Sequence, residues 1–289
     1  MIHDKNQLKL IECPRDAMQG LHEFIPTDVK AKYINELLKV GFDTIDFGSF
    51  VSPKAIPQMR DTAEVLAKLD LDNTDSKLLA IVANFRGAYD ACQFEEIDYL
   101  GYPFSISETF QIRNTNATIE QSLSRVSDIQ AKCLKAGKEM VIYISMGFGN
   151  PYGDPWNVDI CQKWVDELAA MNIKKIALSD TIGVATPESI SYLFSNLIPP
   201  YPDVEFGAHL HTRHDNWEEK VVAAYKSGCF RFDGALKGFG GCPMAKDELT
   251  GNMPTENLVQ YFDNLNLLDG IDLEQFKKCM LATNDVFPH

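Results

Sequence analysis

The sequence predicts a TIM (β/α)8 barrel with a short C-terminal helical extension, and three observations carry that prediction. Apolar, β-rich runs alternate with amphipathic helical patterns eight times in about 265 residues, which matches the number and span of such a barrel. The runs are continuously apolar rather than alternating, as strands covered on both faces should be. No GxGxxG follows the first run, so the doubly wound alternative lacks its fingerprint. The chain has 289 residues, a length that suits two small domains or one large barrel. It has no low-complexity stretch, Gly/Ser linker or break in composition, so a single domain over residues 1–289 is the simpler reading.

In chain order the candidate strands are Leu8–Glu12, Thr44–Phe47, Leu78–Val82, Ile97–Gly101, Met140–Ser145, Lys175–Ser179, Glu205–His211 and Arg231–Ala235. Helical patterns fill the intervals. Asp28–Val40 follows Thr27 as N-cap and stops at Gly41. Ile119–Ala136 follows Thr118, with Gln121 placed for a capping box, and stops at Gly137. Thr186 and Pro187 open a helix with proline at its first position. His214–Lys226 runs into Gly228.

Composition narrows the function. Hydrophobic residues make up 45% and charged residues 24%, ordinary for a globular protein. No apolar run reaches the roughly 18 to 20 residues that would span a bilayer. Residues Met1–Asp16 contain no basic stretch followed by a long apolar core, so no secretory signal and a cytoplasmic location are expected. The seven cysteines are dispersed without a CxxC pair, which argues for reduced thiols rather than a disulfide framework or a zinc finger. A net charge of −14 gives little long-range attraction for nucleic acids or anionic membranes. An anionic small molecule would need local positive charge, from a metal ion or from a few placed arginines and lysines.

In a barrel the chemistry sits where strands end and βα loops begin. The residues at those ends are Arg15 and Asp16; Asp46 and Ser49; Asn84 and Arg86; Glu108 and Phe110; Asp180 and Thr181; His209 and His211. The last strand leads into Gly238, Phe239, Gly240, Gly241 and Cys242, with Asn252 beyond. His209 and His211, two apart on one predicted strand, point to the same face and form half of a divalent-metal site. An isolated pair of this kind could equally hold one solvated and one structural imidazole. Adding an aspartate and an amide oxygen makes octahedral Mg²⁺ or Mn²⁺ chemistry, not a tetrahedral structural zinc site. Such a site lowers the pKa of a chelated hydroxyl. Arg15–Asp16 taken alone reads as a loop ion pair.

Five ordered stretches carry a resemblance to a known family. Pro14-Arg15-Asp16-Ala17-Met18-Gln19 resembles the PRDGLQ loop of 3-hydroxy-3-methylglutaryl-CoA lyases, members of the DRE-TIM metallolyase superfamily. Ser49–Lys54 with Ile56–Met59, Asp180–Val184 with Thr186-Pro187, His209-Leu210-His211, and Gly240–Pro243 with Gly251-Asn252 match further motifs of that family in order. The match runs from residue 8 to about residue 265. It implies retro-Claisen cleavage of a 3-hydroxyacyl-CoA, such as 3-hydroxy-3-methylglutaryl-CoA, to acetyl-CoA and a 3-keto acid such as acetoacetate. It further implies that Asp16, His209, His211 and Asn252 hold Mg²⁺ or Mn²⁺, and that Arg15 stabilises the enolate. His209 or Asp16 would relay the hydroxyl proton, and Cys242 would protonate the enolate from a glycine-flanked loop. Gln19, Asp46, Ser49, Asp180, Thr181, Gly240 and Gly241 are the expected substrate-binding positions, and a homodimer is the expected assembly. Asp46 stands where the family has glutamate, and the residues after His211 and between Cys242 and Asn252 depart from its pattern.

Two other readings share the barrel. A related synthase joining acetyl-CoA to a 2-keto acid, or a 4-hydroxy-2-ketoacid aldolase, would use the same metal site; free CoA released from acetyl-CoA plus keto acids would reveal the synthase. A barrel that binds a metabolite without turnover would bind an acyl-CoA and leave it intact.

Overall fold

The computed structural model describes residues 8–241 and 250–287. Its strands are β1 (Lys9–Glu12), β2 (Thr44–Ser49), β3 (Lys77–Ile81), β4 (Tyr99–Ser105), β5 (Glu139–Ser145), β6 (Lys175–Ser179), β7 (Glu205–His209), β8 (His211–Thr212), β9 (Arg231–Gly234) and β10 (Gly251–Asn252). Strands β1 to β7 and β9 close a barrel in chain order, every pairing parallel. The predicted fold class is therefore the observed one.

Helices α1 (Pro14–Gln19), α2 (Thr27–Leu38), α3 (Thr62–Leu66), α4 (Phe85–Ala91), α5 (Glu108–Thr115), α6 (Ile119–Lys135), α7 (Val158–Ala170), α8 (Pro187–Leu197), α9 (Trp217–Lys226) and α10 (Thr255–Asn264) cover the strands. The C-terminal extension is α11 (Leu273–Val286), which lies along α2. Apolar side chains such as Ile45, Leu100, Ile142, Leu178 and Phe232 are buried in the main core. A smaller cluster of Leu79, Ile81, Val141, Tyr143 and Ala177 fills the barrel interior.

Local chemistry accounts for most of the boundaries. Thr118 and Gln121 form the expected capping box, the Thr118 hydroxyl accepting from the Gln121 amide at 3.1 Å. Thr186 caps α8, with Pro187 at its first position. Thr27, expected as a cap, is instead the first residue of α2, and its hydroxyl donates to Asp61 at 2.8 Å. Strand β4 starts two residues later and ends four residues later than expected, and it passes through Pro103, whose missing N–H argues against a central strand. The predicted strand through His211 is also interrupted. Strand β7 stops at His209, where its pairing with β9 ends, and His211 belongs to β8, which pairs antiparallel with β10.

At the β1 end, Glu12 is fully buried; it accepts hydrogen bonds from the Leu236 amide at 2.9 Å and from the Thr255 hydroxyl. Burial pushes its carboxyl from the ordinary 4.5 up to about 8, against those two hydrogen bonds. Between those pH values the folded protein keeps a proton that the unfolded chain has lost. Stability therefore falls as pH rises through the window, by up to about 1.4 kcal/mol per pH unit from this group. Glu12→Gln is expected to flatten that slope. Urea unfolding of both proteins at pH 5, 6.5 and 8 checks it, and equal slopes would contradict it.

Candidate active site

The site is built where β1, β7 and the β8–β10 pair converge. Helix α1 starts directly after β1, and its single turn and a half presents Arg15, Asp16 and Gln19 together. Asp16 Oδ1 accepts from Arg15 Nη1 and from Gln19 Nε2, both at 2.9 Å, while Oδ2 accepts from Asn252 Nδ2 at 2.7 Å. The β8–β10 ladder sets His211 directly opposite Asn252. One ligand atom each from Asp16, His209 and His211 can be drawn within 4.8 Å of one another. Gly240 allows the last loop to close on this cluster. Its φ is +86°, and a Cβ there would sit 2.7 Å from the Asp16 carbonyl oxygen and 2.9 Å from Asn252 Nδ2.

The donor set fits a hard divalent cation. Asn252 Nδ2 is committed to Asp16 and to the Phe239 carbonyl, so its oxygen is left as an acceptor without a donor among the described residues. His211 Nδ1 is buried without a hydrogen-bond partner among the described residues. Burial, then the neighbouring His209, pushes His211 down to about 4, so at neutral pH it is the unprotonated imidazole a metal requires. Burial alone would raise Asp16, but Arg15, His209 and Asn252 overcome it and hold the carboxyl at about 2. One carboxylate, two imidazoles and an amide oxygen suit Mg²⁺ or Mn²⁺.

Arg15 is held from several sides. Its Nε lies 3.1 Å from both Asp46 oxygens, Nη2 donates to Asp46 at 2.5 Å, and Nη1 donates to Asp16 and to Gln19 at 2.8 Å. A guanidinium has five N–H donors. Nε–H and one Nη2–H go to Asp46, and the two Nη1–H go to Asp16 and Gln19. Among the described residues one Nη2–H is left over. Asp46 lies beside a register shift in β2, between Asp46 and Gly48.

Arg15, Asp16, Gln19, Thr181, His209, His211 and Gly241 line one cavity of about 470 Å³. Its remaining wall is largely apolar, with Val51, Ala55, Ile56, Ile81, Ala83, Pro103 and Phe110, and α5 adds Arg113, Asn114 and Thr115. Several sequence-predicted residues lie behind this surface. Asp46 acts through Arg15. The Ser49 hydroxyl accepts from the Val51 amide at 3.2 Å. Asp180 is fully buried and pairs with Lys220 at 2.7 Å, and Lys220 also donates to the His211 carbonyl at 2.9 Å. It therefore braces the His211 backbone rather than facing the cavity. Cys242 lies outside the described residues.

Sequence reasoning missed Asp233, Arg231, Tyr143 and Lys220. Asp233 Oδ2 is 3.1 Å from His209 Nδ1, and the Tyr143 ring stands edge-on to His209 with centroids 5.6 Å apart. The available signal was the charged pair Arg231 and Asp233, two apart on an otherwise buried strand.

A family model described as HMGL-like matches residues 8–281. The chain belongs to this family. Its relatives include the mitochondrial hydroxymethylglutaryl-CoA lyase of Bos taurus, 32% identical over 93% of this chain and 82% of the relative. The cytoplasmic 3-hydroxy-3-methylglutaryl-CoA lyase of Rattus norvegicus is 30% identical over 93% of this chain and 78% of its own. Among solved structures, an HMG-CoA lyase from Acinetobacter baumannii, in complex with coenzyme A and 3-methylmalate, superposes with a TM-score of 0.90 at 30% identity. That superposition covers 99% of this chain and 92% of the other. The Bacillus subtilis HMG-CoA lyase superposes with a TM-score of 0.92 at 28% identity, over 99% and 95%. This HMGL-like chain is a lyase, and its family is metal-dependent. No helix among the described residues is long and apolar enough to cross a membrane.

Proposed function

We propose that the protein is a Mg²⁺- or Mn²⁺-dependent carbon–carbon lyase that cleaves 3-hydroxy-3-methylglutaryl-CoA to acetyl-CoA and acetoacetate. The observation that carries this reading is that Asp16, His209 and His211 meet beside Arg15 in one cavity whose remaining wall is largely apolar, with Asn252 hydrogen-bonded to Asp16 next to them. Asp16, His209, His211 and the Asn252 oxygen would hold the metal. When bound, it acts as a Lewis acid that lowers the pKa of the substrate's tertiary hydroxyl.

The chain's own residues supply the rest. His209 would have its Nδ1–H on Asp233 and its Nε2 on the metal, so Asp16, whose carboxylate keeps further lone pairs, is the acceptor for the hydroxyl proton. As the alkoxide becomes the ketone of acetoacetate, the C2–C3 bond breaks and its electron pair passes to the thioester. The remaining Nη2–H of Arg15 stabilises the enolate oxygen. Cys242, next in sequence after cavity-lining Gly241, is the proposed donor of the proton that completes acetyl-CoA. Arg15 and Arg113 are the guanidinium groups of the cavity wall, and Arg113 at the α5 edge suits the phosphates of coenzyme A. We further assign residues 1–289 to one catalytic unit, a homodimer as the assembly and the cytoplasm as the location.

Two paired incubations test the reaction class. With 3-hydroxy-3-methylglutaryl-CoA, acetyl-CoA is expected. With acetyl-CoA plus 2-keto acids, no free CoA is expected. The reverse pattern would make the protein a condensing synthase.

A further inference from the structure

One buried charge group lies below the cavity and has no part in binding it. Arg231 and Asp233, two apart on β9, are each 2% exposed, so the barrel interior holds a cation and an anion beside its apolar layer. Arg231 Nη1 donates to Asp233 Oδ1 at 3.1 Å, and Arg231 Nε lies 3.6 Å from Glu205. The other Asp233 oxygen, Oδ2, meets His209 Nδ1 at 3.1 Å. The β7–β9 register sets His209 directly beside Asp233, so the backbone itself brings the two together.

We propose that Arg231 and Asp233 are positioning residues for His209, and this rests on the metal-centre reading above. Arg231 and Asp233 act in series. Arg231 fixes the Asp233 carboxylate by one oxygen, and the other oxygen takes the Nδ1–H of His209. That bond fixes the tautomer and turns Nε2 toward Asp16 and His211. Two arguments set this apart from ordinary packing. Removing two charges from water is costly, and an apolar pair of similar volume often serves stability as well or better. The second is that the two Asp233 oxygens are divided, one to the cation and one to the imidazole.

Cys13 also lies close to His209 and Asp233, which could suggest a second, softer metal site. The thiol is fully buried, and burial together with the surrounding carboxylates pushes it well above its ordinary range. It stays protonated and directs its hydrogen to the Ile11 carbonyl at 4.0 Å. Asp233 is already committed to Arg231. The Asp233 carboxylate of this cluster is divided between Arg231 and His209.

The test measures Mn²⁺ affinity by calorimetry, and the His209 ring-nitrogen shifts of metal-free, ¹⁵N-histidine-labelled protein by NMR. Asp233→Asn is expected to weaken Mn²⁺ binding about 10- to 100-fold and to move the His209 nitrogen shifts away from a single Nδ1–H tautomer. Arg231→Met should act in the same direction. The double variant should be no worse than Asp233→Asn alone, because the two residues act in series. Arg231→Lys, which keeps the cation, should recover most of the affinity and serves as the probe if Arg231→Met does not fold. Affinity within twofold of wild type for Asp233→Asn, with unchanged nitrogen shifts, would overturn the proposal. Failure of the wild type to bind Mn²⁺ would instead overturn the metal-centre reading, and the nitrogen shifts would still decide the role of Asp233.

Discussion

Arg15→Met is expected to lower kcat about 10³-fold while Mn²⁺ affinity stays within a few-fold of wild type. The reasoning starts from the donor count. Nε–H and one Nη2–H serve Asp46, both Nη1–H serve Asp16 and Gln19, and one Nη2–H is left for the oxygen that becomes negative when the carbon–carbon bond breaks. Methionine fills much of the volume and supplies no donor. It also strands Asp46, which is 1% exposed. Losing the partner of a buried charge costs on the order of 3–5 kcal/mol of stability. Asp46→Asn combined with Arg15→Met removes that stranded charge without restoring the donor. The double variant should regain thermal stability and remain slow. Recovery of rate along with stability would show that Arg15 acts through the fold and not on the enolate.

His211→Ala is expected to weaken Mn²⁺ binding by at least about 100-fold, because it removes one of the ligands. The fold should tolerate the change better than the site does. The residue sits in β8, which pairs only with β10, and both are two-residue strands outside the barrel ladder. Mn²⁺ titration followed by electron paramagnetic resonance, with a thermal melt of each protein, separates the two effects. Unchanged affinity would remove His211 from the ligand set.

Much of this site was legible before the structure. The alternation of apolar runs and helices placed the eight barrel strands, because parallel strands buried on both faces leave an uninterrupted apolar signature. His209 and His211 were legible because strand ends carry the chemistry of a barrel, whereas Arg15, Asp16 and Asn252 were drawn into the site by the family resemblance, since Arg15–Asp16 alone reads as a loop ion pair and Asn252 lies past the last barrel strand. What stayed hidden depended on long-range pairing. That His211 leaves the barrel to pair with Asn252 follows from β10, a two-residue strand with no periodicity to read. Asp180 reads as a cavity residue until Lys220 on α9 is seen to occupy its carboxylate. Asp233 stands two residues from Arg231 on β9, and its role at His209 follows from the β7–β9 register. Helix α9 begins at Trp217, three residues past the expected His214, because the Asn216 side chain accepts from the Arg213 amide at 2.8 Å and closes a turn there.

The most direct measurement treats metal-stripped protein with 3-hydroxy-3-methylglutaryl-CoA, adds back Mn²⁺ or Mg²⁺, and follows acetyl-CoA and acetoacetate by chromatography. The account predicts equal amounts of the two products with metal and almost none with EDTA. Cleavage that proceeds equally well in EDTA, or metal-loaded protein that leaves the substrate intact, would contradict it.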